Sequence, residues 1–340
     1  MINKKKSCVI IGLGRMGERY IQIAKKLHLN IVGTHDKNIK NGLKINLKNK
    51  LHKKIFFSNI VKILELKPDI AIIASTADSH LELIKNCSKY NIKKIMVEKP
   101  LTTSLLNCKK IEKLAQNKNI KICVNHSSRF SNQFIYLKNI LTSNNFGKLK
   151  SINYLCGNIG LTMNGCHYFD FFKFLTGTNI TNVMSFMKKD ININPRGKKF
   201  EEFNGQILVW NKQGTRGYID ASEDSHHGQT LTCICKYGII FMDLLTGNVT
   251  LNYRKPNYRK LVSTKYASPF ITKKINVKIE NISDTTQKNL KEFINNKKFT
   301  KLIDGISPVK ILIAAITSSK NKNKNILIKN LKNNKDYKWA

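Results

Sequence analysis

Gly12-Leu13-Gly14-Arg15-Met16-Gly17 carries the spacing G-x-G-x-x-G, and a loop of that kind can cradle a pyrophosphate. The first glycine permits a tight turn, the second lets backbone approach the phosphates, and the third lets helix and strand pack closely. Gly12, Gly14, Arg15, Met16 and Gly17 are therefore expected to bind the cofactor, with the helix N-terminus offering unpaired N–H groups and positive dipole. Asp36 lies nineteen residues after Gly17, where a carboxylate hydrogen-bonds a ribose 2′-hydroxyl and repels a 2′-phosphate. The expected cofactor is NAD rather than NADP. Ser75-Thr76-Ala77-Asp78-Ser79-His80 and Glu98-Lys99-Pro100 each follow an apolar run, at the strand ends where such sheets bind ligands. Lys99 differs in setting from the other lysines, between Glu98 and Pro100 and not on a solvated helix face.

These loops need a scaffold, and the first 125 residues supply one. Short apolar runs at Cys8–Gly12, Asn30–Thr34, Lys54–Phe57, Ile70–Ala74, Lys94–Val97 and Ile120–Val124 read as strands. Helical patterns lie between them at Met16–Leu27, Asn59–Leu66, His80–Lys89 and Ser104–Gln116. Strands alternating with helices of this length imply right-handed βαβ units and a parallel sheet covered on both faces. After residue 128 the pattern changes. A helix near Asn132–Thr142, a strand at Leu149–Leu155 and an apolar helix around Cys166–Leu175 precede a series of strands broken by turn residues, running to Tyr253. Helices near Thr286–Asn295 and Pro308–Ser318 follow. The expected fold is α/β: an N-terminal doubly wound Rossmann sheet, then an α+β domain on a mainly antiparallel sheet. The boundaries are 1–125 for cofactor binding, 126–330 for substrate binding and oligomerisation, and 331–340 as a tail, with a C-terminal segment able to pack back on the first domain.

The chain has 340 residues, 60 Lys+Arg against 21 Asp+Glu, and a formal net charge of +39. That charge raises nucleic acid and anionic membranes as partners. Only seven of the cations are arginine and 53 are lysine, whereas readers of bases and phosphates lean on bidentate arginine. The lysines are spread through every segment, so the charge is background and no nucleic-acid or membrane partner is expected. Eight cysteines are dispersed among apolar residues without a CxxC. They are expected as free thiols in a reducing cytoplasm, and no metal site is expected. No run reaches the ~18 apolar residues of a membrane span.

Together these residues resemble the Gfo/Idh/MocA family of oxidoreductases. The resemblance rests on the Gly12–Gly17 loop, Ser75-Thr76 with His80, Glu98-Lys99-Pro100, Asn125 with Arg129-Phe130, and Gly165-Cys166-His167-Tyr168-Phe169-Asp170 ending in Leu175-Thr176-Gly177. It implies a nicotinamide dinucleotide held by the first domain, with Ser75, Thr76, His80, Glu98, Lys99 and Asn125 beside it, and a sugar over the nicotinamide. It also implies that Lys99 bonds the reacting hydroxyl and that His167 is the general acid/base, a task suited to imidazole near neutral pH. His167 is expected at a helix start, where the dipole favours its neutral form. By residue type alone, His167 is equally a core histidine among Phe169, Phe171 and Phe172. Asp170, Arg129 and Asn164 are the expected substrate-binding groups, with Asp170 also placed to orient His167. Many members have aspartate four residues before this histidine; Met163 stands there instead. His126 lines the cleft or the core, and His226-His227 belong to a loop.

The function implied is NAD-dependent hydride transfer to or from a sugar or sugar derivative, nucleotide-linked or acidic, of surface-polysaccharide synthesis. A homodimer or homotetramer is implied too. The alternatives on the same fold are a sugar-cleaving or eliminating enzyme using transient oxidation, and a non-catalytic dinucleotide-binding regulator.

Overall fold

The computed structural model describes residues 5–157, 159–189, 194, 197, 200–222, 228–260, 270–332, 337 and 339. The N-terminal half opens with β1 (Ser7–Ile11), α1 (Arg15–Lys26), β2 (Asn30–His35), α2 (Ile39–Lys48), β3 (Phe56–Phe57), α3 (Ile60–Glu65) and β4 (Ile70–Ile73). It continues through α4 (His80–Lys89), β5 (Lys94–Val97), α5 (Leu105–Asn117) and β6 (Lys121–Val124). The strands pair in the order β3-β2-β1-β4-β5-β6, all parallel. This is the doubly wound arrangement, whose chain reversal between β1 and β4 opens a crevice at the strands' carboxyl ends. Val9, Ile10, Ile11, Ala71, Ile72 and Ile73 are buried on both sheet faces, as uninterrupted apolar strands require.

A 3-10 turn at Ser127–Phe130 leads to α6 (Asn132–Leu141), β7 (Leu149–Leu155) and α7 (Leu161–Thr176). Then come β8 (Ile180–Lys189), β9 (Phe203–Asn211), β10 (Arg216–Ala221), β11 (Thr230–Cys235), β12 (Gly238–Asp243), β13 (Asn248–Arg254) and β14 (Phe270–Asn276). The chain closes with α8 (Ile282–Ile294), α9 (Leu302–Lys320) and the short β15 (Ile326–Leu327). The second sheet runs β14-β13-β12-β11-β7-β10-β9-β8-β15. Every adjacent pair is antiparallel except β7 with β10, so a mainly antiparallel sheet is what forms.

The structure departs from expectation in three places. First, α9 is nineteen residues with a mean hydropathy of 1.4, long and apolar enough by composition to span a membrane. Instead Ile306, Val309, Ile311, Leu312, Ile313 and Ile316 sit in the core that joins the two domains. Each such side chain contributes about 1.5–3 kcal/mol on burial. Second, α8 lies in the second half of the sequence, yet Leu290, Phe293 and Ile294 pack with Cys8, Ile10, Tyr20 and Ile21 of the first domain. Third, residues 331–340 are not only a surface tail, because Trp339 is fully buried. Its carbonyl accepts from the Asn194 side chain at 3.3 Å, and the Tyr337 N–H reaches the Thr103 carbonyl at 3.4 Å. The eight cysteines are all buried, and none of them is in a disulfide among the described residues.

Candidate active site

The glycine turn joins β1 to α1 as its spacing predicts. Gly12 has φ +91°, a left-handed backbone open to glycine at little cost. A Cβ on Gly17 would lie 1.9 Å from the Gly12 carbonyl oxygen, whereas a Cβ on Gly14 would meet nothing within 4 Å. Gly17 thus closes helix onto turn, and Gly14 faces open space. No side chain caps α1 at Gly14, leaving its first N–H groups to a ligand. Asp36 directly follows β2 and points back at this turn. One carboxylate oxygen accepts from the Leu13 N–H at 2.6 Å and the other from the Asn38 N–H at 2.7 Å. Both oxygens keep acceptor capacity for a ribose diol. The residues present therefore fit a dinucleotide. Asp36→Ser is expected to shift cofactor preference from NADH toward NADPH by about tenfold, measured as the ratio of the two Kd values, because a 2′-phosphate no longer meets a carboxylate.

Two loops flank the crevice, and His80 ties them together. The His80 ring is fully buried. Its Nε2 faces the Ser75 carbonyl at 3.1 Å and its Nδ1 the Leu101 carbonyl at 3.0 Å. His80 thus shapes the cofactor wall from behind. Ser75 bonds Ser79, and Thr76 donates to Asp78. Glu98 is also buried, accepting from the Tyr20 hydroxyl at 2.7 Å and the Asn125 amide at 2.8 Å. Asn125 in turn reaches Thr286 and Asn289 of α8. A polar network thus backs the strand end that presents Lys99. Tyr20 and the α8 residues carry no motif; only their position against Glu98 reveals them.

Lys99, His126 and His167 converge at the carboxyl ends of β5 and β6. The Lys99 ammonium donates to the Met163 carbonyl at 3.1 Å, so a backbone oxygen of α7 meets it one turn before the histidine. The rings of His126 and His167 stand edge to face, with centroids 6.0 Å apart and planes at 87°. Both nitrogens of His126 and Nδ1 of His167 are buried without a hydrogen-bond partner among the described residues. Such groups cost about 1–3 kcal/mol each while nothing bonds them.

α7 begins at Leu161, so His167 sits in its middle and not at its start. The dipole argument for a neutral ring therefore fails, and other causes take its place. Burial first, then the Lys99 ammonium and the nearby His126 ring, holds His167 well below the usual imidazole range. Burial, with Arg129 and Lys99, pushes His126 down to about 3. Both rings are neutral at physiological pH. An unfolded histidine takes a proton below about pH 6.5, while folded His126 does not until about 3. Stability is thus full above about pH 6.5 and is lost as pH falls through that window. His126→Phe is expected to flatten the acid limb of Tm against pH, by the equivalent of a few kcal/mol near pH 4. An unchanged limb would refute the buried neutral ring.

The expected substrate-binding trio is placed otherwise. Arg129 binds Asp170 through two bonds, Nε to Oδ2 at 2.8 Å and Nη2 to Oδ1 at 2.5 Å. Asp170 is 2% exposed; Arg129 occupies both of its oxygens, and none of its bonds among the described residues goes to His167. Arg129 also meets Asp304 at 3.2 Å, and Lys173 meets Asp304 at 3.0 Å. Burial pushes the Asp170 carboxyl up to about 7, against the pull of Arg129. Burial opposes Asp304 as well, but Arg129 and Lys173 hold it below the usual carboxylate range. This network fastens the 127–130 turn, α7 and α9 to one another. The Asn164 amide bonds the Ile159 carbonyl at 2.5 Å and holds the loop before α7. Glu202, forty residues on, accepts from the Thr162 N–H at 2.6 Å and from its hydroxyl, capping α7 where no local side chain does so. His226 and His227 lie outside the described residues.

Residues 6–126 match the Gfo/Idh/MocA model of the oxidoreductase family, NAD-binding Rossmann fold. An uncharacterised oxidoreductase, YhhX, of Escherichia coli K12 is 24% identical over 151 residues, 43% of this chain. The match spans 42% of that protein's length. Among solved structures, an oxidoreductase from Agrobacterium radiobacter in complex with NAD+, L-tartaric acid and magnesium superposes with a TM-score of 0.79 at 16% identity, over 96% of this chain and 99% of that one. The UDP-N-acetylglucosamine 3-dehydrogenase of Acidithiobacillus ferrooxidans gives 0.71 at 13% identity, over 94% and 97%. At these identities the superpositions show a shared fold that includes the second domain.

Proposed function

We propose, because residues 6–126 match the Gfo/Idh/MocA oxidoreductases with their NAD-binding Rossmann domain, that the chain is a dehydrogenase acting on a carbinol of a sugar or sugar derivative. One observation carries this reading. A lysine and two neutral imidazoles with buried, unbonded nitrogens lie together at the carboxyl ends of β5 and β6. When bound, NAD supplies the two-electron chemistry. The chain's own residues manage the proton and the oxygen. Neutral His167 accepts the proton of the reacting hydroxyl, a service typically worth 10²–10⁴ in rate. Lys99 has two N–H bonds beyond the one to Met163, and they steady charge building on that oxygen. His126 offers a donor and an acceptor to a neighbouring hydroxyl, which suits a polyol better than a simple alcohol. The Arg129–Asp170–Asp304 network keeps the three elements in register.

A nucleotide-linked or acidic sugar of polysaccharide synthesis remains the substrate class we favour, with its anionic part met by lysines because Arg129 is already paired. The buried cysteine thiols favour a reducing cytoplasm. The outer face of the second sheet exposes Leu155, Phe186, Leu208, Ile234, Ile239 and Phe241, an apolar patch suited to a homodimer or homotetramer; light scattering would read the mass. Met163, in place of an acid, favours a second reading, a dinucleotide-binding regulator without efficient chemistry. The deciding experiment follows NADH absorbance with NAD and a panel of sugars, polyols and nucleotide sugars, together with product mass. Turnover with a two-hydrogen mass change supports the dehydrogenase. Product without net NADH points to transient oxidation, and tight NADH binding with no turnover on any substrate points to the regulator.

A further inference from the structure

We propose that a second site, built where the two domains meet, binds an aliphatic phosphate ester. A cavity of about 700 Å³ opens between α5, the start of β8, the end of β9, α9 and residues 327–331. Neither the glycine turn, Asp36, Lys99 nor His167 lines it. Its volume falls in the range of sites for small organic ligands, about 300–1,000 Å³.

Three features of the wall define the ligand. Lys109, Lys212, Lys310 and Lys329 line the cavity, with no acidic residue among the lining groups. None of the four makes an ion pair or side-chain hydrogen bond among the described residues. In a chain of 53 lysines, lysine alone says little; four uncompensated ones around one concavity focus a positive field into it. A multiply charged anion relieves that repulsion, and lysine serves phosphate as a point charge. The second feature is the apolar wall of Leu105, Ile180, Leu327, Ile328 and Leu331. It is aliphatic throughout, and with no aromatic ring to stack on a base it suits an alkyl chain better than a nucleobase. The third is that the neutral polar groups are already bonded. The Thr181 hydroxyl donates to the Trp210 carbonyl, and the Asn211 amide group is shared among Thr178, Gln213 and Thr215. The lysines are thus the groups left to bind. Because α5 belongs to the first domain and β8, β9 and α9 to the second, an occupant would bridge the two.

The test is calorimetric titration of the NAD-saturated protein, so that the dinucleotide crevice cannot take the probe. The probe is n-octyl phosphate below its self-association threshold. Inorganic phosphate, octyl glucoside and phosphatidic acid vesicles are the comparators. Binding of octyl phosphate, weakened tenfold or more by Lys109→Glu with Lys310→Glu and unchanged by Lys273→Glu with Lys274→Glu on the exposed β14, is the expected result. Inorganic phosphate should bind more weakly. Lys212→Glu with Lys329→Glu, both exposed, gives a second cavity pair should the first fail to fold. Equal weakening by the β14 pair means diffuse charge and overturns the proposal. So does octyl glucoside binding as tightly, or vesicles binding where free octyl phosphate does not, or no heat with octyl phosphate.

Discussion

Lys99→Met is expected to lower NAD reduction by about a thousandfold while leaving NADH affinity within a few-fold of the original. The substitution keeps the length of the stem and removes the ammonium. What is lost is the group that would face the reacting oxygen, and removing one such donor typically costs 10²–10³ in rate. A proton-transfer contribution adds to this if the lysine shares the proton with His167. The fold should survive. In the free protein the ammonium bonds the Met163 carbonyl, and Glu98 behind it keeps Tyr20 and Asn125. The measurement is single-turnover NADH formation on whichever sugar the screen identifies, paired with fluorescence titration of NADH. A variant retaining more than a tenth of the rate would remove Lys99 from the chemistry and leave it a crevice-wall residue.

The second large effect needs no substrate. Gly14→Ala and Gly17→Ala add the same methyl three residues apart, and the structure assigns them opposite outcomes. At Gly14 the Cβ enters open space and φ is −73°, so Tm should hardly move. The same methyl projects where the pyrophosphate must approach, and NADH Kd should rise by about 10–100-fold, or roughly 1.4–3 kcal/mol. At Gly17 the Cβ lands 1.9 Å from the Gly12 oxygen, and backbone cannot rotate away as a side chain would. α1 must lift from the turn, with an overpacking cost of about 1–3 kcal/mol or more. Tm and NADH binding should fall together. Should Gly14→Ala lose stability and keep NADH, the loop would be a structural turn and not a phosphate cradle.

Much of the first domain is legible in the chain because its signals are local. Glycine spacing, an acid at a strand end and two-sided apolar strands each depend on neighbours within a few residues, so the parallel sheet and its cofactor loop follow from pattern. α2 is missed because Ile39–Lys48 is rich in lysine and asparagine, and only Asn38, capping at Asn41, marks its start. The start of α7 is placed too late for a similar reason. Gly160 offers no cap, and the group that does, Glu202, arrives from forty residues away. That error carried the dipole argument for His167 with it.

By itself the sequence determined the doubly wound domain, the glycine cradle with Asp36, and the presence of Lys99 and His167 as candidates for chemistry. Only the tertiary structure decided what surrounds them. It spent Arg129 and Asp170 on each other, brought His126 beside His167, and made burial the reason both rings are neutral. It also buried α9 between domains instead of leaving it apolar and unplaced. The physical reason is range. Backbone geometry and hydrophobic period are written residue by residue, while desolvation and charge pairing depend on which distant segments fold against a group, and no spacing along the chain encodes that.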